Sequence, residues 1–389
     1  MKKFLKCLPV KLWILLFALL VLTFFSNDFG LVDIQKTALV LAAGIDRDED
    51  GFRLTAQIAV PKGTDRTTGG TSSVEIEGRG STVSECISDL YARTGWVPKL
   101  IYCDLVVLGE SAAEKDVFDC LDAFLRNEYI PDSCLLAACA GSAGELLSST
   151  SAIDDTSALA LEKLFSDSAE QAGQVMTTTL REFAIGYFGE SRSGYMPYVR
   201  AQAQEGSDQG QGGSQSGGQS MASPKKEEKI YSARETAIFS DGVLVGILSP
   251  EETFAFSLLK SNVYAGTFSV DGTSYLVLRD KGDIRVTASA SPAFSLFVDC
   301  TVQRYGENHT SAPEQFVKGT LSRQEEEAVS ARLTQSLQAL WTSCTQAECD
   351  LLFFRRSLRR ASPAVYAAWK GLPLSALPVT VQARVRSLR

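Results

Sequence analysis

A run of apolar residues, Leu12 to Phe25, stands directly behind Lys2, Lys3, Lys6 and Lys11, and no basic residue follows it until Lys36. The run is shorter than the ~20 residues that cross a bilayer core unaided. Extended to Leu8 and to Phe29 or Leu31, it becomes a tolerable span if Lys11 and Asp28 reach the two interfaces. A secretory signal begins the same way, but Ser26-Asn27-Asp28-Phe29-Gly30 offers no small-x-small cleavage site. Residues 1–30 therefore read as an uncleaved signal-anchor, with a cleaved signal and a buried cytosolic helix as the alternatives. The basic flank keeps the N-terminus cytoplasmic and sends the bulk of the chain to the extracytoplasmic side.

Beyond the run, the pattern shifts between periods of two and of three to four. Thr37 to Asp46 is an apolar strand, and Phe52 to Val60 alternates as a half-buried one. The Asp46-Arg47-Asp48-Glu49-Asp50-Gly51 segment between them carries Asp-Gly turn chemistry. A short strand, Val74 to Gly78, precedes a helix opened by Ser81 or Thr82 with Glu85 behind it, a capping-box spacing; Val83, Ile87 and Leu90 share one of its faces. Leu100 to Leu108 reads as a strand, Val117 to Arg126 as a helix, Cys134 to Ala140 as a buried strand and Ala143 to Ser148 as a helix. Residues 204–229, QEGSDQGQGGSQSGGQSMASPKKEEK, hold almost nothing apolar and read as a linker or long loop. After it come two short strands joined at Ser240-Asp241-Gly242, a helix from Pro250 to Leu259, three alternating strands over 265–270, 274–278 and, after Ile284 to Ala288, 293–302, and an amphipathic helix over 323–344. That last helix carries Val329, Leu333, Leu337, Leu340 and Trp341 on one stripe and opens with Glu325-Glu326-Glu327, which suits a helix N-terminus. A strand over 379–385 closes the chain. Alternating strands and helices imply an α/β, mixed α+β, multi-domain architecture behind the anchor: a domain over 31–203, a linker over 204–229 and a second domain over 230–389.

Composition supports a folded exterior. The 389 residues are 45% hydrophobic and 22% charged, enough for packed domains, and the net charge of −8 leaves no basic face for nucleic acid. Arg355, Arg356, Arg359 and Arg360 form the densest basic cluster and read as a solvated helix face. Of nine cysteines, Cys7 belongs to the anchor. The others sit mostly in apolar stretches without Cys-x-x-Cys spacing, which favours buried free thiols over a disulfide framework.

Candidate chemistry is sparse. Asp46-x-Asp48-x-Asp50-Gly51 opens like an EF-hand loop, but its twelfth position is Gln57 and its flanks are strands, so a turn is the better reading. Gly78-x-Gly80 lacks the third glycine of a nucleotide loop and is too short a signal for one. His309 is the sole histidine and stands in a polar stretch without an orienting partner in sequence, and no Gly-x-Ser-x-Gly elbow occurs. No catalytic, cofactor-binding or metal-ligating residue is assigned, and no enzyme activity is expected.

Six segments in order, "ALVLAAGIDRDEDGFRLTAQIAVP", "EGRGSTVSECISDL", "LIYCDLVVLGE", "FLRNEYIP", "ETAIFSDGVLVGILSPEET" and "CTQAECDLLFFRRSLRRASPAVYAAWKGLPLSALPVTVQARV", carry a resemblance covering about residues 33 to 386. The chain resembles the Ger(x)C (GerAC-like) family, the C subunits of bacterial spore germinant receptors, and its Gln346 and Asp350, spaced Gln-x-x-x-Asp, fall in that family's Gln/Asp stretch near the tail. The resemblance implies a non-enzymatic, membrane-attached subunit of mixed α/β domains in the spore inner membrane. It would assemble with two membrane-protein partners, of A and B type, to let a dormant spore respond to a nutrient. The family's lipobox cysteine is missing from residues 26–36, so the apolar run itself would serve as the anchor. An exterior solute-binding or adhesion module, or an exterior hydrolase, is the alternative.

Overall fold

The computed structural model describes residues 10–26, 37–60, 72–127, 130–151, 154–203, 228–289, 291–306 and 320–388. Two compact units are present, Met1–Thr37 and Ala38–Arg389. In the first, the apolar run is a helix, α1 (Val10–Ser26), of 17 residues. Among the described residues, no helix is long and apolar enough to cross a membrane.

The second unit is mixed α+β with two sheets. The larger has ten strands along the order β10-β9-β8-β6-β5-β1-β2-β3, with β4 against β1 and β7 against β9. Its strands are β1 (Thr37–Asp48), β2 (Gly51–Val60), β3 (Ser72–Gly80), β4 (Val97–Lys99), β5 (Leu105–Leu108), β6 (Leu135–Cys139), β7 (Thr150–Ser151), β8 (Ser193–Ala203), β9 (Glu228–Ser240) and β10 (Val243–Leu248). The central strands β1, β5, β6 and β8 are parallel, and the flanking pairs are antiparallel. Helices cover both faces. On one face α2 (Val83–Thr94), α4 (Phe118–Leu125) and α8 (Leu180–Tyr187) pack on Val106, Leu108 and Leu136; on the other α5 (Ala143–Ser148) and α6 (Ser157–Leu164) pack on Leu105, Val107 and Ala137. Short α3 (Glu110–Ala113) and α7 (Asp167–Gln171) complete this half.

The smaller sheet runs β11 (Gly266–Val270), β12 (Thr273–Thr287), β13 (Ala293–Gly306) and β14 (Val379–Ser387), with only β13 and β14 parallel. One face packs on α9 (Pro250–Lys260), on the long helix α10 (Arg323–Gln346) and on α11 (Phe354–Ala361), with α12 (Pro363–Trp369) beside them. Ile238 of β9 joins this core while its neighbour Phe239 joins the other. The two sheets thus share a wall.

Local chemistry fixes the element ends. Thr179, Ser249 and Ser322 each form a full capping box, with Glu182, Glu252 and Glu325, at the starts of α8, α9 and α10. Thr82 caps α2 by accepting from the Glu85 amide. The β9–β10 and β11–β12 hairpins turn on Asp241-Gly242 and Asp271-Gly272, both residues of each pair at positive φ, the geometry that matches strand twist.

Two expectations change. Leu100 to Leu108 is not one strand: β4 ends at Lys99, a 3₁₀ turn covers Leu100–Tyr102 and β5 begins at Leu105. Leu100 and Cys103 point inward while Ile101 and Tyr102 are exposed, so the largely apolar stretch hid a change of direction. The strand expected over 274–278 runs on through the segment at 284–287 as one long strand, β12. Gly282, within this strand, lies under α9, where a Cβ would come within 2.1 Å of the Leu259 carbonyl oxygen. Residues 204–227 connect two strands that pair directly, from Ser193↔Ser240 to Ala203↔Lys229. The first strands after the Gly/Gln/Ser-rich segment therefore belong to the sheet built before it.

Candidate functional site: a cleft of charged and aromatic side chains, and two buried carboxylates

Parallel strands end where helices begin, and the crevice outside their C-terminal ends is where open α/β sheets place ligands. Here a cleft of about 800 Å³ opens beside the end of β1, lined among others by Arg47, Phe52, Lys115, Phe118, Asp119 and Tyr187. The Arg47 guanidinium lies over the Phe52 ring, 4.7 Å from its centroid, and bonds the Asp119 carboxylate at 2.9 Å. Phe118 stacks on Tyr187 at 3.7 Å between centroids, and Phe188 meets it edge-on at 5.1 Å. The Tyr187 hydroxyl donates to Asp116 Oδ2 at 3.0 Å, and Arg126 bonds Asp122 at 2.8 Å. Most charges in the cleft are thus already paired with neighbours from the same wall. Cys120 lies behind Arg47, and burial pushes its thiol up to about 11, which makes it a poor nucleophile at neutral pH.

The acidic turn that begins like a calcium loop is a hairpin, with Asp48 opposite Gly51. Asp46 faces away from it. Its carboxylate accepts from Ser142 Oγ at 2.8 Å, from the Ala143 amide at 2.8 Å and from the Gly144 amide at 3.0 Å, so it caps α5. Gln57, the twelfth position of that pattern, is fully buried. Its amide nitrogen donates to Glu75, to the Leu147 carbonyl and to Ser157, and its oxygen accepts from the Ala158 amide at 2.8 Å. These bonds tie β2 and β3 to α5 and α6. Among the described residues no group of three or more His, Cys, Asp or Glu could hold a metal ion. Gly78 and Gly80 have a packing role: a Cβ on Gly78 would sit 2.2 Å from the Cys86 carbonyl oxygen of α2.

Asp350 does the same work at the other end of the chain. It is 1% exposed and accepts from Ser191 Oγ at 2.6 Å, from the Phe354 amide at 2.8 Å and from the Arg355 amide at 2.9 Å. Burial pushes its carboxyl up, against the pull of these donors. Through Ser191 it clamps the turn before β8 to the start of α11. Of the basic cluster on α11, Arg359 pairs with Glu190, next to that turn, and Phe354 and Leu358 turn inward. Gln346 is the last residue of α10. His309 lies outside the described residues, whereas eight cysteines, Cys86 to Cys349, are buried and free.

Two family profiles account for most of the sequence. One, described as spore germination protein N-terminal domain, matches residues 31–201; the other, described as spore germination B3/GerAC like, C-terminal, matches residues 234–388. The chain belongs to the GerAC-like spore germination family. Among solved structures, it is similar to the one titled "Crystal Structure of the GerBC protein", at 15% identity over 90% of this chain and 97% of that chain, with a TM-score of 0.48. No curated protein matches. The GerAC-like segments fall on the structural parts just described. The hairpin with its acidic turn carries Asp46 and Gln57, and the tail that follows Gln346 carries the Asp350 clamp. Neither carboxylate was legible as a cap in sequence, because the helix that Asp46 serves lies far along the chain. Asp350 stood out only as part of the family's tail pattern.

Proposed function

We propose that the chain is the membrane-anchored, non-enzymatic C subunit of a spore germinant receptor, needed for nutrient-triggered germination. The match of both GerAC-like profiles, together spanning nearly all of the chain after the apolar helix, is the observation that carries this reading. The apolar run behind four lysines would hold the protein to the spore inner membrane, its bulk on the extracytoplasmic face. Two sequence domains, 31–203 and 230–389, joined by 204–229, would present surfaces to A- and B-type membrane subunits. The cleft suits contact better than turnover, since Asp119, Asp122 and Asp116 are each engaged by a neighbour. Deleting the gene in the spore-forming host is expected to abolish the response to one nutrient class, and the tagged protein is expected to co-purify with a multi-span membrane partner. A normal nutrient response in a strain lacking this chain and every paralogous receptor would refute the assignment.

A further inference from the structure

Strand and helix directions gather exposed apolar side chains at one end of the ten-stranded sheet. β1 enters the sheet there at Thr37. The registers Val40↔Ile58 and Ile58↔Val74 place the end of β2 and the start of β3 beside it. α2 starts at the far end of β3, where Gly80 pairs with Phe52, and runs back to finish at this one. β4 then pairs with β1, and the 3₁₀ turn Leu100–Tyr102 follows. As a result Leu39, Val74, Tyr91, Trp96, Ile101 and Tyr102 all lie around the entry of β1, each between 40% and 54% exposed. Exposed apolar residues scattered singly are ordinary, but a contiguous group marks a contact surface.

We propose that this end of the sheet rests in the headgroup layer of a lipid bilayer. Tryptophan and tyrosine are the side chains that favour that layer, an apolar ring with one polar atom. Connectivity brings the surface within reach: residues 27–36 separate α1 from β1 and span at most about 36 Å even when fully extended. The tether and the ring of aromatics then act as two linked contacts, so that neither needs to be strong by itself.

The proposal rests on the anchor reading above, and one experiment separates the two. The full chain is reconstituted with phosphatidylcholine–phosphatidylglycerol vesicles, with and without bromine on the acyl chains near the headgroups. Flotation reports the anchor, and quenching of tryptophan emission reports depth. Trp13 and Trp96 are the expected lipid-facing reporters, so Trp96→Phe is expected to remove about half of the bromine-dependent quenching. Because Trp96 is half exposed, the variant is expected to keep the wild-type denaturation midpoint. A floating protein whose quenching is unchanged by Trp96→Phe overturns the proposal and assigns the surface to a protein partner. A chain that does not float overturns the anchor reading and the docked end with it.

Discussion

The two sheets bury their strands in different ways, and the difference explains how each tolerates change. In the larger sheet, β5 is buried at every position, Leu105 to Leu108, because helices cover both faces. In the smaller sheet, β13 alternates: Phe294, Leu296, Val298, Cys300 and Val302 are buried, and the residues between them are only partly covered. A parallel core strand reads as a continuous apolar run, and a one-sided strand reads as an alternation. The first leaves no position open to a charge; the second leaves every other one.

The largest expected effect tests this contrast directly. Val106→Asp and Val107→Asp, one on each face of β5, are each expected to abolish the folded state, since a lone buried carboxylate costs more than about 4 kcal/mol. On β13, Val298→Asp is expected to do the same. Thr301→Asp, set between Arg279 and Arg386 in the register, is expected to change stability by less than about 1 kcal/mol. Soluble yield and urea denaturation measure both, and a well-folded Val107→Asp protein would break the comparison.

A smaller effect is expected where the sheets are joined. Asp350→Ala removes the acceptor for Ser191 and for two amides at the start of α11. The expected cost is about 3 kcal/mol, with α11 loosened first. Hydrogen exchange that slows or stays constant at Phe354 and Arg355 in the variant would show that the clamp contributes nothing there.

The smallest effect is a pH dependence located in the smaller sheet. Burial raises the Asp280 carboxyl from 3.8 to about 6. The folded state therefore holds a proton that the unfolded state has released between those values. This contribution to stability is complete below about pH 4 and is lost as pH rises through about 6. Asp280→Asn is expected to flatten that decline. Asp350 is shifted in the same direction, so a residual slope is expected to persist. Denaturation midpoints from pH 4 to pH 7 measure it, and an identical slope in Asp280→Asn would assign the whole effect elsewhere.

Much of the fold could be read in the sequence where a local signal and the final burial agree. The alternation of β13, the Asp-Gly turns, the Ser/Thr-to-Glu cap of α2 and the acidic opening of α10 are cases of this kind. The signal failed where apolar residues meant two things at once. In Leu100 to Leu108, Ile101 and Tyr102 carry apolar side chains for an exposed surface, while Leu100 and Cys103 carry them for the core. The full length of β12 was not read, because Gly282 serves the close approach of α9, a neighbour that lies well before it in sequence. The cleft was the least legible part. Arg47, Asp119 and Tyr187 come from β1, α4 and α8, and only the sheet order brings them together.

The pairing of β8 with β9 has one more consequence. Their register runs from Ser193↔Ser240 to Ala203↔Lys229. The entropy of closing such a loop grows only logarithmically, by about 0.6 kcal/mol for each doubling in length. The Gly/Gln/Ser-rich stretch is thus nearly free to lengthen or shorten, and related chains can differ there in length while the sheet on either side stays the same. Spacing between the two halves, as measured along the chain, carries little information about their distance in space.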